Sequence, residues 1–182
     1  MATQGWTTNL IRPLVETDEI AWFAVQTQAR HEKKVSTLLR EQKVETFLPL
    51  IAKLQRWSDR RRWIEFPLFA CYTFVHIRPN SEERARVLRT PGVFSIVGTS
   101  TEPLSIPEKQ IEDVRRLLQQ KVRCWEYPFL NVGRRVRVRG GCLEGIEGIL
   151  VEIKSNRTLV ISADPIQRSI AISIDDYEVE SV

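Results

Sequence analysis

Near residue 130 the apolar residues of this sequence change their spacing, and the change splits the chain into two architectures. Upstream, segments of helical and strand period interleave. Trp22 to Gln26 is a compact apolar strand, and in the following "TQARHEKKVSTLLREQK" Val35, Leu38 and Leu39 recur at i, i+3 and i+4 on one helical face. "VETFLPLIAKLQRW" reads as one strand with Pro49 at an edge or bulge; "SDRR" turns the chain into "RWIEFPLF", giving a hairpin with a basic tip. Ala70 to Ile77 is a further strand. A helix "EERARVLR" follows, capped by Asn80 or Ser81 and stopped by Thr90-Pro91-Gly92, then the short strand "VFSIVG". A third helix opens at Pro107 with Ile111, Val114, Leu117 and Leu118 as its inner stripe. This order predicts an α+β sandwich over residues 21–120, with helices covering one face of a mostly antiparallel sheet. Residues 1–20 show no period and are expected to be a flexible tail.

Downstream the pattern changes to strands only. "KVRCWEYPFLN" has Pro128 and no period, and residues 121–131 read as a linker. "RRVRVR", "GILVEI", "TLVIS", "SIAISI" and "YEVESV" then make five short strands, so residues 132–182 are expected to close into a small SH3-like β-barrel, which removes edges that so small a sheet leaves unprotected. From the turn between the first two of these strands to the start of the second lie four of the chain's eight glycines, Gly140, Gly141, Gly145 and Gly148. A phosphate-cradling loop is excluded, because Ile146 and Glu147 stand where the Lys and Ser/Thr of that motif belong, and Leu143 breaks a dinucleotide fingerprint. The glycines therefore read as architectural, serving sharp turns or close backbone approach.

Composition narrows the function classes. No apolar run approaches the roughly 18 residues of a membrane span, and the first residues lack a signal-peptide pattern, so a cytoplasmic protein without a membrane partner is expected. Cys71, Cys124 and Cys142 are odd in number and widely spaced, and with His31 and His76 the only histidines neither a disulfide framework nor a metal site is supported. Residues 1–128 carry 20 basic against 15 acidic side chains and the remainder 7 against 8, which places the positive excess of the chain in its front part. No cluster of nucleophile, base and oxyanion donors is visible, so neither an enzyme nor a cofactor is expected.

These residues carry a resemblance. "VGRRVRVRGGCLEGIEGILVEI" resembles a KOW motif, the small barrel of ribosomal proteins and of the NusG family of transcription elongation factors. "WFAVQTQARHEKKVSTLL" is similar to the first strand and helix of the NusG N-terminal domain, and "PLFACYTFVHI", "LRTPGVFSIVG" and "PLSIPEKQI" follow in that domain's order. The likeness covers residues 21–182. The family's Pro-Gly between Phe and Tyr is Ala70-Cys71 here.

The resemblance implies a bacterial elongation or antitermination factor, expected to be monomeric, that lays a hydrophobic patch on the clamp helices of RNA polymerase. Carried over by motif, the patch comprises Phe69, Tyr72 and Phe94. Arg30, His31, Lys33 and Lys34 would face non-template DNA, while the hairpin tip with Arg56, Arg60, Arg61 and Arg62, interleaved with Trp57 and Trp63, is a candidate for DNA or nascent RNA on chemical grounds, aromatics stacking on bases and guanidiniums holding phosphate. In the barrel Leu143, Ile166 and Arg168 match positions with which relatives recruit a small-subunit ribosomal protein or the termination factor Rho. Leu143 and Ile166 stand where housekeeping members often carry Phe, which together with "PLF" tilts the reading toward an RfaH-like specialised paralogue. The alternative is a KOW-type RNA-binding or ribosome-associated protein. Period two and many β-branched residues argue against refolding of the barrel into helices, so a stable barrel and no autoinhibition are expected.

Overall fold

A computed structural model describes residues 19–182 except 57–60, 80, 100–101 and 154–155. The expected flexible tail, Trp57 and Arg60 thus lie outside the described residues, apart from residues 19 and 20 of the tail.

The N-terminal module is built on β1 (Ala21–Thr27), flanked by β5 (Tyr72–Ile77) and β6 (Val93–Ile96), with β2 (Glu45–Phe47) beyond β5 and β7 (Ser105–Ile106) also on β1, all antiparallel. Because β1 is central, Trp22, Phe23, Ala24 and Val25 are all buried. Phe23 and Val25 pack against α1 (Glu32–Glu41), through Val35 and Leu39, and α2 (Ser81–Leu88), through Val87. Trp22 and Ala24 face the other way, with Ile111, Val114 and Leu117 of α3 (Glu108–Gln119). Helices covering a single face was the expectation; both faces are covered, and the unbroken apolar run of β1 is the reason.

The long strand expected over residues 44–57 is two. Proline cannot donate to a ladder, and Pro49 separates β2 in the main sheet from β3 (Leu50–Arg56), which pairs only with β4 (Arg61–Pro67) as a two-stranded ribbon. The departure at Ala70-Cys71 leaves the turn intact. Cys71 takes φ +67°, the left-handed conformation that favours glycine, and its amide donates to Glu32 Oε1 at 2.8 Å, tying α1 to the start of β5.

The five expected C-terminal strands are present as β9 (Arg135–Arg139), β10 (Glu147–Ile153), β11 (Asn156–Ala163), β12 (Arg168–Ser173) and β13 (Glu178–Ser181). A sixth, β8 (Cys124–Tyr127), arises inside the stretch read as linker and covers the outer edge of β12, from Ile172↔Cys124 to Ser169↔Tyr127. Four residues are too few to establish a period, and Pro128 ends the strand. The glycines divide into two kinds. Gly140, Gly141 and Gly145 adopt positive φ in the turn between β9 and β10, whereas Gly148 serves close approach.

One apolar cluster crosses the module boundary: Phe69, Phe74, Ile106 and α3 belong to it together with Val136, Leu143, Ile161, Ile166 and Ile170. The C-terminal strands are strands, as period two predicts, and their Ile161 and Ile170 pack in the same apolar cluster as Phe69.

Candidate functional site

Phe69 is only 3% exposed. Its ring meets Phe74 edge-on at 5.8 Å, Phe74 lies 6.2 Å from Phe47, and Tyr72, two residues before Phe74 on β5 and half-buried, packs against the same cluster. This aromatic face meets Ile161, Ala163 and Ile170 of the C-terminal module across a small cavity of about 20 Å³. Phe94 stands outside this cluster: it is 73% exposed and lies where the pairing of β6 with β1 shifts register. The structure thus brings Phe69 and Tyr72 together and leaves Phe94 apart.

Behind that face Trp22 is held on two sides. His76 stacks on it at 4.8 Å with rings 8° apart, and the Arg115 guanidinium lies 4.9 Å from its centroid and 5.1 Å from that of Phe47. Glu45 bonds His76 Nδ1 at 2.8 Å and lies 3.6 Å from Arg115, so one carboxylate orients both partners.

The basic residues form a second surface. Arg30 adopts φ +66° in the turn before α1, His31 is the residue preceding the helix, and Lys33 and Lys34 are exposed in its first turn. Lys33 reaches Glu65 of β4 at 3.9 Å, which sets this group beside the ribbon. On the ribbon Arg56 pairs with Arg61, Gln55 with Arg62 and Leu54 with Trp63. Trp63 is 71% exposed and Leu54 48%, so this tryptophan does not pin the hairpin but stands as an open step beside Arg61 and Arg62, for which no ion pair is formed among the described residues.

In the C-terminal module Leu143, in the turn Gly141–Leu143, and Ile166, in the turn Asp164–Ile166, are buried in the cluster shared with α3, while Arg168 is exposed and pairs with Glu126 of β8 at 2.9 Å. Of the three, only Arg168 is presented to solvent. Sequence reasoning missed two cations, Lys109 and Arg116, which reach from α3 to the turn at Glu144 and Gly145. Their spacing of seven was the available signal.

Burial pushes the Cys124 thiol up to about 11, the wrong direction for a nucleophile. Among the described residues no group of three or more His, Cys, Asp or Glu could hold a metal, and no helix is long and apolar enough to cross a membrane.

An aromatic-faced α+β module joined by a short connection to a strand-only module defines a two-module protein of the kind that the motifs led us to expect. A family model described as "Transcription termination factor nusG" matches residues 20–115. The transcription termination/antitermination protein NusG of Lactococcus lactis is 26% identical over 190 residues, covering 93% of this chain and 96% of that protein; the NusG of Escherichia coli K12 is 27% identical over 173 residues, covering 87% and 94%. Among solved structures, one titled "Domain interaction in Thermotoga maritima NusG" shares the fold with a TM-score of 0.57 at 20% identity, over 90% of this chain and 98% of that one. The chain belongs to the NusG family of transcription termination/antitermination proteins.

Proposed function

We propose that this protein binds the clamp helices of RNA polymerase through the sheet face that carries Phe47, Phe69, Tyr72 and Phe74, and recruits a second partner through its C-terminal module. One observation carries the reading. The N-terminal module spends α1 and α2 on one face of its sheet and leaves this aromatic part of the other face to be covered by a different module. Aromatic rings bury large area with little loss of side-chain freedom, and a helical pair supplies the apolar ridges to receive them. Phe94 enters as a separate, fully accessible contact on the sheet edge. Leu143, Ile166 and Arg168 remain the proposed contacts for the second partner, a small-subunit ribosomal protein or Rho.

Capture of bacterial RNA polymerase by the full chain tests this. Tyr72→Ala is expected to weaken capture about tenfold or more without unfolding the protein, since Tyr72 is only half-buried. Unchanged capture with Tyr72→Ala removes the patch. A wild type that captures structured RNA but no polymerase supports the KOW-type RNA-binding or ribosome-associated alternative instead.

For nucleic acid the proposal rests on Arg30, His31, Lys33, Lys34, Arg56, Arg60, Arg61 and Arg62. The joining of the two groups through Lys33 and Glu65, and the open Leu54–Trp63 step, support it. Binding of a fluorescent single strand is expected to fall about fivefold or more in Trp63→Ala, by loss of stacking, and to weaken steeply with salt. An affinity indifferent to both sinks this part.

A further inference from the structure

We infer that one face of the β3–β4 ribbon binds a guanine nucleotide unit, with its phosphate on Arg56 and Arg61, its base on Trp63 and its Watson–Crick edge on Glu65. The inference rests on the proposed nucleic-acid surface and names the unit that this surface takes.

The ladder decides which side chains share a face. Arg56 pairs with Arg61, Leu54 with Trp63 and Ala52 with Glu65. Residues two apart on a strand point the same way, so these pairs form three successive rows on one side of the ribbon. Neighbouring rows are about 7 Å apart, two residues of strand rise, which is comparable with the reach from phosphate to base within one nucleotide. Lys53, Gln55, Arg62 and Ile64 occupy the opposite side.

Each row supplies one part of a nucleotide site. Two guanidiniums directly opposite each other repel, and among the described residues neither Arg56 nor Arg61 forms an ion pair. A phosphate neutralises that row through charge-assisted bonds to both. Trp63, 71% exposed with Leu54 beside it, offers a ring face on which a base stacks. In the third row Ala52 leaves room, and a cleft lined by Ala52, Trp63 and Glu65 adjoins the ring. Lys33 Nζ, at 3.9 Å from Glu65, is beyond hydrogen-bond distance, and among the described residues nothing donates to this carboxylate.

The carboxylate sets the choice of base, because it has two acceptor oxygens and no donor. Guanine presents two adjacent donors on its Watson–Crick edge, N1–H and the N2 amine. Adenine and cytosine set an acceptor beside their amine, and thymine and uracil flank one N–H with two carbonyls. Glu65 therefore selects guanine. The same negative charge disfavours an acidic peptide, which the arginine row alone would accept.

The test is fluorescence anisotropy of the full chain with short thymine-rich DNA single strands carrying one central guanine, hypoxanthine or adenine. Hypoxanthine keeps N1–H and lacks the amine. The wild type is expected to bind the guanine strand roughly tenfold more tightly than the adenine strand, with hypoxanthine between them. Glu65→Gln is expected to abolish the preference, whereas Arg56→Ala/Arg61→Ala weakens all three strands alike and flattens the salt dependence. All these side chains are exposed, so the variants are expected to keep the wild-type circular dichroism. Competition with free GMP separates the two sources of the unit: displacement at the affinity of the strand assigns the site to a free nucleotide, and much weaker displacement assigns it to a guanine within a chain. Equal binding of the three strands by the wild type overturns the guanine site and leaves the nucleic-acid surface standing, as does a preference that survives Glu65→Gln. A wild type that binds none of the strands overturns both.

Discussion

Gly148→Val is expected to unfold the C-terminal module, lowering its stability by about 3 kcal/mol or more. A Cβ at this position would lie 2.5 Å from the carbonyl oxygen of Val160 and 2.9 Å from Leu159 Cγ, and the first of these is backbone that cannot move without parting β10 from β11. Gly148 does not have the positive φ of its neighbours, so the requirement is room, not conformation. A module of about 50 residues has little stability in reserve. Circular dichroism of the full chain should lose strand signal from this module while the helical signal of α1 and α3 persists. An unaltered melting curve would show that β10 and β11 are less closely apposed than described.

Trp22→Ala is expected to cost about 3–5 kcal/mol, the range for removing a fully buried large aromatic. The effect reaches past the cavity, since the ring is what His76 stacks on and what Arg115 of α3 covers. Trp22→Phe is expected to cost much less. The indole Nε1 is buried with no hydrogen-bond partner among the described residues, so deleting it removes a desolvated donor along with some contact area. Chemical denaturation of the three proteins decides it: equal losses in Phe and Ala variants would mean that the N–H is satisfied after all.

Much of the fold could be read from spacing because spacing is local. α1 and α3 follow from three or four apolar residues on a helical face, β9, β10 and β12 from alternation, and β11 from a short run of β-formers. The misreadings share a cause. β2 and β3 are continuous β-formers in which only Pro49 records the break, and β8 is four residues with no neighbour to reveal its pairing. That Phe69 would lie beneath Ile161 and Ile170 could not be read at all, since contact between residues some ninety positions apart leaves no trace in either local pattern. Likewise Lys109 and Arg116 look like the solvated side of an amphipathic helix until the turn at Gly145 is placed beside them. Exposed Trp63 and buried Leu143 show the reverse limit: residue type suggested a contact, but only the packing says which side of the surface each occupies.

The pairing of β8 with β12 also fixes where this chain can be divided in recombination. A segment transplanted between relatives from residue 132 onward would arrive with the Ser169–Ile172 edge bare and Arg168 stripped of Glu126, inviting strand-to-strand aggregation. One beginning at residue 122 would carry its own guard strand, and it is that longer piece that inheritance or engineering can shuffle as an intact cassette.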